Sequence, residues 1–200
     1  MAADLPRIIL ASASPRREEI LGLLGVRFTV APSGFDESSV VQWPPEEHVL
    51  ESSMGKAAFI ECRIPDGIVI GADTIVVVDD KILGKPADVE DARRMLQLLS
   101  GRSHYVYTGL CVIRRAGDET VQTIRDYVRT EVRFGKLTDD IINAYVETLE
   151  PLDKAGAYGI QERGSVLVEG IVGDYFNVVG LPIYRLGGML MELGVPLFGR

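Results

Sequence analysis

The sequence predicts an α/β fold, a mixed, elongated central sheet with flanking helices, on three observations. Helical and strand-like segments alternate along the chain. The β-branched apolar runs Ile68–Ile70 and Thr74–Val78 read as a strand with both faces buried. Two long strand-like segments, His104–Arg114 and Thr120–Phe134, flank Ala116-Gly117-Asp118 as a hairpin, which excludes a purely parallel sheet.

Arg7–Ala11 reads as a short strand, followed by Ser14-Pro15 and a helical pattern with apolar Ile20, Leu21, Leu23 and Leu24, closed by Gly25. Phe28–Ala31 suggests a second strand. Pro45–Arg63 then reads as a longer helix with Leu50, Met54, Ala57 and Ala58 on its inward face. After Thr74–Val78, Asp79-Asp80 forms a turn into Ile82-Leu83. Asp88–Leu99 is helical by its Met95, Leu96, Leu98 and Leu99 face, with Gly101 as the stop. Beyond the long hairpin, Thr138 caps a helix over Asp139–Glu147, a Gly-rich stretch runs from Pro151 to Gly164, and Pro182–Leu193 forms the last helix. No repeat or low-complexity tract interrupts this order, so the 200 residues suit one domain, 1–200, or two closely joined lobes.

A net charge of −8 argues against a nucleic-acid-binding surface, which presents a positive face and releases counterions. No run of about 18 apolar residues is present to cross a membrane. Met1 to Pro6 lacks the cationic start and apolar stretch of a signal peptide, so the cytoplasm is the expected compartment. Cys62 and Cys111 lack metal-ligand spacing and read as buried apolar thiols. His48 and His104 stand apart from other ligand-type residues and read as structural or exposed.

Chemistry-bearing residues fall in a few short segments. In Ser12-Ala13-Ser14-Pro15-Arg16-Arg17, Ser14 at the N-cap and Pro15 at the first helical position leave backbone N–H donors beside two guanidinium groups. That set suits a phosphate, and equally an ordinary capped helix with solvated arginines. Asp36-Glu37 suits either a Mg²⁺ ion, which prefers hard oxygen ligands, or a solvated loop. Asp73 lies inside an apolar run, where burial of a carboxylate is costly unless it is paired or holds a metal; a hydrogen-bonded turn aspartate is the alternative. Lys85, in Gly84-Lys85-Pro86, is placed either to reach a phosphate or to stand on the surface. The stretch from Asp153 to Gln161 combines small residues with a polar end, as a loop against a flat base would, or as a plain surface loop.

Taken in order, Ser14-Pro15-Arg16-Arg17, Gly71-Ala72-Asp73-Thr74, Gly84-Lys85-Pro86, Leu99-Ser100-Gly101 and Asp153-Lys154-Ala155-Gly156-Ala157-Tyr158-Gly159-Ile160-Gln161 closely resemble the Maf family of nucleotide pyrophosphatases. The resemblance runs from Ile8 to Pro182. It implies a two-lobed fold related to the inosine triphosphate pyrophosphatases, with a cleft between the lobes and usually a homodimer. It implies cleavage of a nucleoside triphosphate between the α and β phosphates, with Mg²⁺ or Mn²⁺ as cofactor. Asp73 would be the catalytic carboxylate, a proton acceptor or metal partner, with Asp36 or Glu37 supporting the metal. Arg17, Lys56 and Lys85 would bind the phosphates. Arg16, Thr74 and Gln161 resemble the dTTP and UTP branch, with Thr74 and Gln161 selecting the pyrimidine. A 7-methyl-GTP pyrophosphatase, or a nucleotide-binding regulator of cell division, are the alternatives within that resemblance.

Overall fold

The computed structural model describes residues 6–37, 43–117 and 119–198. Residues 1–5, most of the segment expected to carry no signal peptide, and Asp118 of the hairpin turn lie outside the described residues. In chain order the elements are β1 (Ile8–Leu10), α1 (Pro15–Gly22), β2 (Phe28–Val30), α2 (Pro45–Glu61), β3 (Asp66–Val78), β4 (Lys81–Leu83) and α3 (Val89–Leu99). They continue with β5 (Ser103–Ala116), β6 (Glu119–Phe134), α4 (Asp139–Val146), β7 (Val168–Val172), α5 (Tyr175–Val179) and α6 (Ile183–Glu192). Short 3-10 turns occupy the Gly-rich stretch before β7.

The seven strands form one mixed sheet of order β2-β1-β3-β5-β6-β7, with β4 paired to β3. β1 lies parallel to both β2 and β3, in register at Ile8 with Phe28 and with Ile68. β4 and β7 run antiparallel to β3 and β6. The two apolar runs around Asp73 are one 13-residue strand, so this aspartate is not the turn residue its sequence setting allows. The strand is continuous because both of its faces are apolar over most of its length, with Asp73 and Thr74 the polar residues of its interior. Asp79 and Asp80 both adopt positive φ, as a two-residue hairpin turn of matching twist requires.

The chain divides into two compact units. The first takes the described residues up to Asp73, Thr108–Val128 and those from Gly180 onward; β1, β2, α1, α2 and α6 belong to it. One of its cores gathers Ile9, Ala57, Val69, Cys111 and Ile113. The second unit takes Thr74–Tyr107 and Arg129–Val179. Its core joins Val76, Leu96, Leu99, Val132, Phe134 and Leu167. β3, β5 and β6 supply residues to both units. Among the described residues no helix is long and apolar enough to cross a membrane.

Two expectations are corrected and two elements are added. Cys62 is exposed at the C-cap of α2, because it lies one position past the buried face. β7 and α5 carry no clear sequence signal: β7 is half exposed and interrupted by Gly170, and α5 is a single short turn. The buried face of α2 is polar where Met54 was expected inward; it presents His48, Ser52, Ser53 and Lys56 with Val49, Ala57 and Ile60, and Met54 is exposed.

Candidate functional site

The polar face of α2 reaches the sheet because two strand glycines leave room for it. A Cβ on Gly71 of β3 would sit 2.1 Å from the Ser53 carbonyl oxygen, and one on Gly109 of β5 would sit 2.1 Å from that of Val49. Helix backbone therefore lies directly on strand backbone, the close approach that glycine permits. At this contact α2 presents Lys56 to Asp73, two residues along β3 from Gly71.

Lys56 Nζ donates to Asp73 Oδ1 at 2.6 Å and lies 2.9 Å from Glu37 Oε1, so one ammonium joins two carboxylates. Lys56 and Asp73 are both buried, at 8% and 5% exposure, while Glu37 is more open. Asp73 Oδ2 is buried, accepts no hydrogen bond among the described residues and stands 3.7 Å from His48 Nε2. Burial alone would raise the Asp73 pKa, but the Lys56 ammonium, with Arg17 and His48 behind it, outweighs that effect and holds the carboxyl below its ordinary range. Asp73 is accordingly an anion in a buried setting.

Arg17 enters the same electrostatic group from the first turn of α1. Its Nε donates to the Gly180 carbonyl at 2.8 Å and its Nη1 to Ser12 Oγ at 3.4 Å. Burial lowers its pKa, against the opposing pull of Asp73 and Glu37. Ser14 occupies the N-cap of α1, as its sequence setting predicts, but its hydroxyl does not cap the helix; its own N–H donates to Ser12 Oγ at 3.1 Å. Arg16 is half-buried beside it. Asp36 is exposed on the loop that delivers Glu37 to Lys56.

The structure thus brings Asp73, Lys56, Glu37 and Arg17 into one charged group within the first unit. It adds His48, which the sequence reading set aside. The signal for His48 was its spacing: eight positions before Lys56, about two helical turns, it falls on the same face of α2.

The remaining candidates belong to the second unit. Thr74 follows Asp73 in β3 and is half-buried. Lys85 and Gln161 are both exposed. The segments that carry them meet where the Gly156 N–H donates to the Gly84 carbonyl at 3.0 Å. Gly156 has φ of +69°, and a Cβ there would come within 2.9 Å of the Val76 side chain. A glycine is required on both counts.

Among the described residues no three His, Cys, Asp or Glu side chains are grouped to hold a metal ion. Two carboxylates gathered on one cation, one with an oxygen that accepts no hydrogen bond, nonetheless fit a hard divalent ion. Mg²⁺ commonly takes one or two protein carboxylates and completes its shell with water and substrate phosphates.

A family model described as a Maf-like protein matches residues 7–193. The chain is 50% identical over 197 residues to a dTTP/UTP pyrophosphatase of Moorella thermoacetica, covering 98% of this chain and 100% of the relative. It is 50% identical over 194 residues to a dTTP/UTP pyrophosphatase of Symbiobacterium thermophilum, covering 97% of each. Among solved structures, a HAM1 protein from Coxiella burnetii superposes with a TM-score of 0.52 at 15% identity, covering 94% of this chain and 100% of that one. The Ham1 protein of Staphylococcus aureus gives a TM-score of 0.52 over 94% and 99%. At that identity the likeness is one of fold: the same mixed α/β architecture.

Proposed function

The chain belongs to the Maf family, and from that premise we propose that it is a nucleoside triphosphate pyrophosphatase hydrolysing dTTP and UTP to the monophosphate and pyrophosphate, an activity that keeps the nucleotide pool clean. The observation that carries this reading is the buried Asp73–Lys56 pair, with Glu37 and Arg17 drawn to it. A carboxylate held ionised beside cationic groups is the equipment for steering water onto an anionic substrate.

In the reaction a water oxygen bonds to the α phosphorus, the bridging P–O bond to the β phosphate breaks, and pyrophosphate leaves with the bonding electrons. Asp73 is held below the ordinary carboxylate range, so its part is to accept a hydrogen bond from the attacking water and orient it. The water's proton passes on to solvent. Lys56 and Arg17 lie beside Asp73 and balance its charge, which lowers the repulsion between carboxylate and phosphate. Asp73 and Glu37 would hold the divalent ion, Mg²⁺ or Mn²⁺, with Asp36 next to them in the chain; when bound it neutralises charge on the phosphate oxygens. Lys85 carries over from the family pattern as a phosphate contact, as do Ser14 and Arg16 as substrate contacts. Thr74 and Gln161 carry over as the groups that select the base, since a site built to hydrogen-bond one base penalises another that leaves its groups unpaired. The reading takes the protein as a cytoplasmic homodimer, with neither nucleic acid nor membrane as partner.

The test is pyrophosphate release from dTTP, UTP, CTP, GTP and 7-methyl-GTP with Mg²⁺ or Mn²⁺. Turnover of dTTP and UTP above the others supports the proposal. Turnover confined to 7-methyl-GTP moves the chain to the other branch, and nucleotide binding without turnover points to a regulator.

A further inference from the structure

Gln161 is exposed, and an exposed glutamine selects a base only if its backbone is held. The structure shows what holds it. Tyr145, on the buried side of α4, receives the Gly159 N–H on its hydroxyl oxygen at 3.1 Å and donates that hydroxyl to Glu150 Oε1 at 2.8 Å. Glu150 Oε1 also accepts the Gly164 N–H at 3.1 Å, and Oε2 accepts the Arg163 N–H at 3.1 Å. Both ends of the 159–164 segment are thus tied to one tyrosine–carboxylate pair, and Gln161 stands between them.

The base of this loop is closed by contact as well. A Cβ on Gly164 would lie 2.5 Å from the Tyr145 hydroxyl and 2.7 Å from the Gly159 carbonyl oxygen, so the two glycines meet over that hydroxyl. Buried Lys154 completes the arrangement. Its Nζ donates to the Glu150 carbonyl at 2.9 Å and to Asp153 Oδ1 at 2.8 Å, with Glu162 Oε1 at 3.5 Å. Its stem fills the space where a Cβ on Gly159 would come within 2.6 Å of Cε. Tyr145 and Lys154 are buried and Glu150 is half-buried, whereas Gln161 is exposed.

We infer that Tyr145 and Glu150, braced by Lys154, are positioning residues for base selection: they close the 159–164 loop and hold Gln161 toward the pyrimidine. This rests on the reading of Gln161 as a base-selecting residue. Tyr145→Phe removes one oxygen and keeps the packing, and Glu150→Gln keeps the side-chain length but weakens the acceptor for the two loop N–H groups.

The experiment compares kcat and KM for UTP and GTP in the unaltered protein, Gln161→Ala, Tyr145→Phe, Glu150→Gln and the double variant Tyr145→Phe/Gln161→Ala. The expected result is a rise in KM for UTP of about tenfold in both clamp variants with kcat within about twofold, and an eroded UTP-over-GTP preference. The double variant should lose no more preference than Gln161→Ala alone. If Gln161→Ala lowers the preference while Tyr145→Phe and Glu150→Gln leave it intact, or lower kcat for both nucleotides equally, the positioning role is overturned and the base-selecting one stands. If Gln161→Ala itself leaves the preference intact, the base-selecting reading fails and the clamp falls with it.

Discussion

Asp73 in the first unit and His104 in the second are both buried ionisable side chains, accommodated by opposite means. In the first, Asp73 is buried as an anion, because Lys56 at 2.6 Å, Arg17 and His48 offset the desolvation. In the second, His104 is buried as a neutral ring, its Nε2 2.8 Å from the Tyr158 hydroxyl, in edge-to-face contact with Phe134 and Tyr158. With no charge beside it, burial pushes the His104 pKa down to about 4 and raises that of the Tyr158 hydroxyl. Charge kept inside a protein needs a partner charge, and where the partner is absent the group gives up its charge. The first arrangement is suited to chemistry and the second to support, so variants of the two should separate activity from stability.

The largest effect is expected at Asp73. Asp73→Asn should lower the rate of pyrophosphate release from dTTP by about a thousandfold, because the anion that orients the attacking water is lost, with the fold retained by circular dichroism. Full activity with metal present would remove Asp73 from the mechanism.

The comparison sharpens with pH. His104 titrates at about 4 in the folded chain against an ordinary 6.5, so across that window the unfolded chain binds more protons and stability falls as pH falls, by about 3 kcal/mol in all. Asp73 has a lowered pKa, so its contribution is present above 3.8 and is lost as pH drops below that value. Urea unfolding between pH 7 and 4 should therefore show a slope that disappears in His104→Phe. A slope that persists there would assign the acid sensitivity to other groups.

The smallest effect tests the neutral pair. Tyr158→Phe leaves His104 Nε2 buried without its partner and should cost about 1–3 kcal/mol, while dTTP turnover stays within about twofold. His104→Phe/Tyr158→Phe removes both polar groups and should recover most of that loss by thermal denaturation.

Much of the fold was legible because it rests on local signals. The apolar stretch of β3, the paired positive-φ aspartates after it and the Thr138 cap of α4 are each determined by residues close in sequence. β7 was not legible, since its alternation is broken by Gly170 and its pairing with β6 comes from a strand more than thirty residues away. For the site, the motif residues stood out by type, and Asp73 by its setting in an apolar run. His48 did not stand out, and apolar periodicity found Ala57 on the buried face of α2 but placed exposed Met54 there and missed His48, Ser52, Ser53 and Lys56. Periodicity detects which face is apolar, whereas this helix buries a polar face whose cost is offset by an ion pair.

The sequence by itself determined most of the strands and helices, β7 and α5 excepted, and the inventory of charged groups, because those depend on propensity and on neighbours in the chain. The tertiary structure alone decided that Lys56 meets Asp73, 17 positions away, and that Glu37 joins them. It decided this through Gly71 and Gly109, which let the backbone of α2 come so close to the strands that a lysine on its polar face is carried into contact with a buried carboxylate.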